Sequence, residues 1–137
     1  MCVDFEVLEQ VTVFLENRPG RLQEVVRLLA DRGVNLRALS IAETERFGLL
    51  RIIPDDLEDT LAALDDAEIT HRVTRVVGVR VPDRAGGLAA VLDLFTGTDV
   101  SIAYMYAELS GGEQAMLVVR FEPQEDALRI LAEADLG

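Results

Sequence analysis

VFLENRPGRLQEVVRLLADRGVNLRALSIAE, residues 13–43, reads as strand, turn, helix and strand in that order. Val11, Val13 and Leu15 alternate with polar Thr12 and Glu16, Phe14 being the one apolar intruder, and this predicts a strand. Asn17–Arg18–Pro19–Gly20 is turn chemistry. Leu22, Val25, Val26 and Leu29 then recur at i, i+3, i+4 and i+7, one face of a helix. Gly33 stands where a helix C-cap belongs, and Val34 to Ala42 is a second strand. Further out, Phe47 to Ile53 predicts a third strand ended by Pro54 and Asp55. Leu57, Leu61 and Leu64 mark a second helix, and Ile69 to Val81 is a long extended run.

The quoted stretch returns later in the chain. LENRPGRL at 15–22 matches VPDRAGGL at 81–88, and a shift of 66 aligns Arg18 with Arg84, Gly20 with Gly86 and Leu22 with Leu88. It also aligns Val25 with Val91, Leu28 with Leu94, Val34 with Val100, Leu36 with Ile102 and Asn17 with Asp83. Near residue 47 the offset grows by about one, which suggests a longer turn at Ser110–Gly111–Gly112–Glu113. Copy two repeats the order: a strand through Val77, Val79 and Val81, a helix through Leu88, Val91, Leu92 and Phe95, and a strand from Val100 to Glu108. A strand from Met116 to Phe121 and a helix marked by Leu128 and Leu131 follow. Each unit is therefore β-α-β-β-α-β, the ferredoxin-like α+β arrangement with an antiparallel sheet and both helices on one face. The expected division is residues 1–72 and 73–137. Copy two lacks a fourth strand after its last helix, while Val3 to Leu8 aligns with Ile69 to Thr74. Residues 3–8 either complete copy two, in this chain or a partner chain, or merely lengthen the first strand.

Composition removes functions more than it assigns them. The chain has 137 residues, 25 acidic and 13 basic, for a formal net charge of −12, and half of the residues are hydrophobic. That is enough for a core and argues against disorder. All 13 basic residues are Arg, so there is no P-loop or Schiff-base lysine. Either a GC-rich coding bias or a high-salt cytoplasm accounts for the missing Lys. The acidic balance disfavours nucleic acid and anionic membranes as partners. Cys2 is the only Cys and His71 the only His, so an intrachain disulfide, a cysteine zinc cluster or a His-based metal site is not expected. No apolar run approaches a membrane span and no signal peptide opens the chain, so the expected location is cytoplasmic.

The pattern strand–(Asn/Asp)-Arg-(Pro/Ala)-Gly-x-Leu–helix–Gly-Val-Asn-Leu resembles the ACT domain. That family comprises small ligand-binding regulatory modules associated with enzymes of amino-acid metabolism. Residues 13–43 look like one match; VRVPDRAGGLAAVLDLF at 79–95 with SIAYMYAEL at 101–109 looks like a second. The chain is most similar to stand-alone proteins of two tandem ACT domains, which implies a regulatory protein with no catalytic residues, cofactor or metal. The resemblance implies an effector, commonly an amino acid, bound at an interface between ACT units. The turn after strand one and the start of strand two line that site. By position this points to Asn17, Arg18, Pro19, Gly20, Arg21 and Leu22 with Asn35 in copy one. In copy two it points to Asp83, Arg84, Ala85, Gly86, Gly87 and Leu88 with Ser101. Ala85 and Ser101 depart from the family's Pro and Asn, so the second site is altered or serves as the wall of a shared one.

Elementary chemistry agrees with such a ligand. A carboxylate needs donors, and a helix N-terminus supplies backbone N–H groups and a favourable dipole. Glycines there let a ligand approach the backbone. Asn17 and Asn35 each donate and accept, and Asp83 can accept from an ammonium. The same residues also make an ordinary turn and helix start. Tyr104 and Tyr106, the only Tyr residues, suit a pocket or subunit interface, or else split between core and solvent. Asp55, Asp56, Glu58 and Asp59 suit a helix start better than a metal cluster. His71 reads as a surface or edge-strand residue and Cys2 as an ordinary thiol. The open sheet edges of such a unit favour a homodimer. A regulatory or scaffolding subunit that acts by contact on an amino-acid biosynthetic enzyme, without its own ligand, is the competing expectation.

Overall fold

The computed structural model describes residues 3–43, 47–108 and 114–134. The turn expected at 110–113 and the thiol of Cys2 lie outside the described residues. The elements in chain order are β1 (Phe5–Glu16), α1 (Arg21–Asp31), β2 (Leu36–Glu43), β3 (Phe47–Pro54), α2 (Leu57–Asp66) and β4 (His71–Pro82). Then follow α3 (Gly87–Asp93), β5 (Ser101–Ala107), β6 (Gln114–Glu122) and α4 (Gln124–Glu133). The βαββαβ pattern is present twice, with antiparallel strands and four helices, as the two periodicities predict.

The chain divides into two compact units: Glu9–Thr74, and Met1–Leu8 together with Arg75–Gly137. Long strands β1 and β4 each contribute one part to each unit.

In the Glu9–Thr74 unit the strand order is β2-β3-β1-β4. Register places Leu15 opposite Gly48 and Glu16 opposite Phe47, and Leu50 opposite both Val13 and Ile41. The helix-side core collects Val11, Val13, Leu15, Val25, Leu29, Leu50, Ile52 and Leu64. Val25 and Leu29 are the buried stripe of α1, whereas Val26, at the edge of the predicted apolar face, stays 37% exposed. Asp56 caps α2 by accepting from the Asp59 N–H at 2.9 Å, which fixes the acidic run as a helix start. Arg32 pairs with Asp66, joining the C-terminal ends of the two helices. His71 opens β4 at this unit's edge, with Nδ1 2.8 Å from the Ile69 carbonyl and Nε2 3.4 Å from Asp65.

In the other unit the order is β1-β4-β6-β5. The Arg80 N–H donates to the Asp4 carbonyl at 2.9 Å, so the first residues of β1 flank β4 there. Val3 is buried in the core formed by Val77, Val79, Val91, Phe95, Val119, Phe121 and Leu131. Leu8 fills the space a side chain at Gly78 would need; an added Cβ would stand 2.7 Å from Leu8 Cδ1. Tyr104 pairs with Arg120 and Tyr106 with Val118, so both rings share the face of β5 turned away from Val119 and Phe121. Neither ring enters the helix-side core, and the two are not divided between core and solvent as one expectation had it.

Candidate functional site

Each copy builds the same turn. Gly20 and Gly86 adopt φ of 86° and 88°, a left-handed conformation that costs a Cβ-bearing residue free energy. The Arg18 N–H donates to the Glu16 carbonyl at 2.8 Å, and the Arg84 N–H to the Pro82 carbonyl at 2.9 Å. The Glu24 N–H reaches Gly20 at 3.1 Å and the Ala90 N–H reaches Gly86 at 3.0 Å. No side chain caps either helix. The turn therefore delivers the chain into the helix with first-turn N–H groups facing out.

Around the first turn the structure forms a cleft of about 270 Å³. Asn17, Arg18, Arg21 and Leu22 form one side of it, and Pro19 and Gly20 shape the turn without lining it. The other side comes from strand ends: Leu15 and Glu16 of β1, Ile41 and Glu43 of β2, and Phe47 and Gly48 of β3. A neighbouring hollow shares Asn17, Arg21 and Phe47 and extends to Phe14, Glu68 and Thr70. The rings of Phe14 and Phe47 meet edge to face, 5.7 Å apart.

The cleft's charges are already partly matched. The Arg18 guanidinium is bidentate on Glu24, at 3.1 and 2.8 Å, and also donates to Glu16 at 3.3 Å. Hydrogen bonds from Arg18 first, then Arg21, hold the Glu24 carboxyl below its ordinary value of 4.5, and Glu24 holds Arg18 more firmly protonated. Arg21 joins at 3.1 Å from Glu24 and 3.6 Å from Glu16. Two groups remain over. Arg21 Nε is buried without an acceptor, and Glu43 has no ion-pair partner among the described residues.

The other sequence-derived residues are dispersed. Asn35 lies at the far end of β2 from the cleft, since β2 and β1 both run antiparallel to β3. Its N–H donates to Asp55 Oδ1 and its carbonyl accepts the Asp55 N–H, each at 2.9 Å, so it braces the entry to α2. Ser101 likewise sits at the end of β5 opposite Glu122, away from the turn at 83–88. Asp83, Arg84 and Ala85 are exposed, Leu88 is 38% exposed, and Gly87 is buried. A Cβ at Gly87 would stand 2.2 Å from the Pro82 carbonyl oxygen. Sequence reading missed Glu16, Glu24, Ile41, Glu43 and Phe47. The signals for them were Glu24 in the first turn, three residues after Arg21, and the strand ends that register brings to the loop.

Among the described residues no group of three or more His, Cys, Asp and Glu is placed to hold a metal ion, and no helix is long and apolar enough to cross a membrane.

Comparison with known proteins adds to this geometry. The family described as "ACT domain pair" matches residues 6–137. The crystal structure of protein BT0572 from Bacteroides thetaiotaomicron is 38% identical, with 94% of this chain and 89% of that one covered and a TM-score of 0.86. The ligand-free regulatory subunit of aspartate kinase from Thermus thermophilus matches at 17% identity over 98% of both chains, TM-score 0.65. E. coli aspartokinase III in complex with lysine and aspartate matches at 17% identity over 97% of this chain and 32% of that one, TM-score 0.53. At 17% identity the last two share the fold alone. No match was found among curated proteins.

Proposed function

This chain belongs to the ACT domain pair family, and from that premise we propose that it is a non-enzymatic, cytoplasmic regulatory protein that binds a free amino acid. The observation that carries the reading is the cleft at residues 17–22, which opens beside an uncapped helix start. A carboxylate entering there meets first-turn N–H groups at the positive end of the helix, which is charge-favourable. Asn17 lines the same cleft and supplies both a donor and an acceptor. The structural likeness to aspartate kinase regulatory subunits supports a regulatory role for the fold.

Binding regulates only by favouring one arrangement of the protein or its partners over another, in proportion to the difference in affinity. The assembly we propose is a homodimer, checked by analytical ultracentrifugation with and without ligand. The partner class is an enzyme of amino-acid metabolism.

A thermal-shift panel of the protein amino acids at millimolar concentration tests the reading. Ligand at 100 times Kd stabilises by about 2.7 kcal/mol, and Asn17→Ala should weaken the shift. No shift from any amino acid, together with capture of a biosynthetic enzyme, would point instead to a scaffold that acts by contact.

A further inference from the structure

We infer that the open edge of β5 docks an extended segment of a partner protein, uncharged in its middle and basic at its ends, which pairs with Tyr104–Ala107 as an added strand. β5 stands at one end of the strand order and β2 at the other, with no strand beyond either among the described residues. The two edges are built differently. β2 carries Arg37 and Glu43, charges of the kind that keep a foreign strand from pairing. The shift of 66 puts Ala103 where β2 has Arg37, and Tyr104 and Tyr106 where it has Ala38 and Ser40. β5 thus runs from Ser101 to Ala107 without a charge, a proline or a glycine, and every position is at least partly exposed. This edge uses none of the residues of the cleft at 17–22, and its role is the same whether or not an amino acid binds there.

The ladder with β6 determines which main-chain groups are open. The Glu108 N–H donates to the Met116 carbonyl at 2.8 Å. Bonded pairs alternate along an antiparallel ladder, so Tyr106 with Val118 and Tyr104 with Arg120 are bonded pairs too. Met105 and Ala107 therefore turn their N–H and C=O groups to the open side. Ala103 is the extra residue where the register shifts between Ile102 and Tyr104, so the regular edge begins at Tyr104. Met105, 37% exposed, lies opposite Val119 on the helix side, and Tyr104 and Tyr106 share the other face. An added strand meets hydrocarbon on one face and rings with polar tips on the other. Main-chain bonds hold such a segment, and contacts on the alternating faces select it. Charge decides between occupants. Asp99 and Glu122 are exposed at the Ser101 end, Glu122 directly opposite Ser101, and Glu108 follows Ala107. A second copy would bring the same acids and a net charge of −12 to this edge, and like charges brought together oppose pairing. A segment with basic ends matches them.

The experiment is fluorescence anisotropy on the full chain with a dye-labelled, end-blocked peptide, Arg-Thr-Val-Thr-Val-Thr-Arg, and with the same peptide carrying Glu or Gln at both ends. The Arg-ended peptide should bind at least about tenfold more tightly than the Glu-ended one. Met105→Pro removes an outward N–H and leaves the bonds to β6 in place, so it should weaken the Arg-ended peptide about tenfold or more while the melting temperature stays close to that of the parent. Should that variant fail to fold, Asp99→Asn at an exposed position carries the test. It should weaken the Arg-ended peptide about threefold and leave the Gln-ended one unchanged. No binding of the Arg-ended peptide, or equal binding of the Arg-ended and Glu-ended peptides, would overturn the inference. So would Arg-ended binding that a folded Met105→Pro leaves intact. A dimer in sedimentation that Met105→Pro converts to monomer would give the edge to a second copy and overturn it as well.

Discussion

The turns at 17–22 and 83–88 have one backbone and two chemistries. Their glycine φ values differ by only a couple of degrees, and their turn hydrogen bonds are nearly superposable in length. The difference begins at the position after the glycine. Copy one has Arg21, whose N–H lies 3.4 Å from the Arg18 carbonyl; copy two has Gly87, whose N–H lies 3.1 Å from the Arg84 carbonyl. In copy two the chain closes so tightly that Gly87 sits on the Pro82 carbonyl. In copy one the slightly looser turn admits a long side chain, and with it the network joining Glu16, Arg18, Arg21 and Glu24. The left-handed glycine sets the path, and the next residue decides whether the turn carries a charged site or a packed backbone.

Substitutions can break that contrast, and the largest effect should come from Gly87→Ala. The added methyl meets a backbone oxygen that cannot swing away, so stability should fall by about 3 kcal/mol, roughly 10 °C in melting temperature. Urea denaturation measures it. A neutral Gly87→Ala would mean that the two turns are equally loose.

Gly20→Ala and Gly86→Ala should each cost about 1–2 kcal/mol, and nearly the same amount. Both are strained only by φ, because nothing lies within 4 Å of an added Cβ at either. Clearly unequal losses in the same assay would show that the shared trace hides different packing.

The contrast sharpens on ligand binding. Arg21→Lys keeps a charge but loses the planar fork that faces Glu24 and Glu16 across the cleft, and should weaken amino-acid binding about tenfold. Arg84→Lys should change it less than about twofold, a difference calorimetry resolves. Matching losses would mean that both turns serve one ligand.

The smallest expected effect is in acid stability. The Glu24 carboxyl is held below 4.5 in the folded chain, so its contribution is present above that value and fades as pH falls through the lowered one. Both partners are exposed, so the effect is small and salt-sensitive. Glu24→Gln should flatten the stability–pH curve in that window, and a parallel curve would assign the acid sensitivity to other carboxylates.

Local chemistry made the fold legible. Period-two and helical spacing placed the elements, and Gly20 with Gly86, repeated at a shift of 66, marked both turns. The cleft was half legible. Asn17, Arg18, Arg21 and Leu22 stand close together in sequence and announce themselves, but Ile41, Glu43 and Phe47 arrive through strand register from farther along the chain. Asn35 shows the converse: its position in the pattern suggests it for a site, and within its own unit it lies at the far end of β2 from the cleft. The ion-pair network was illegible because charge alternation in a sequence does not say which carboxylate an arginine will choose.

The divided second unit has a consequence for synthesis. Glu9–Thr74 is one unbroken stretch, whereas its companion draws on chain from both sides of it. A ribosome, adding roughly 5–20 residues per second, finishes Glu9–Thr74 before it reaches Arg75, where the rest of the companion unit begins. Leu8 and Glu9 are consecutive in β1, so the two units share that strand without a break. The closure from Leu8 to Arg75 is spanned by a folded unit and not by loose chain, which lowers its entropy cost.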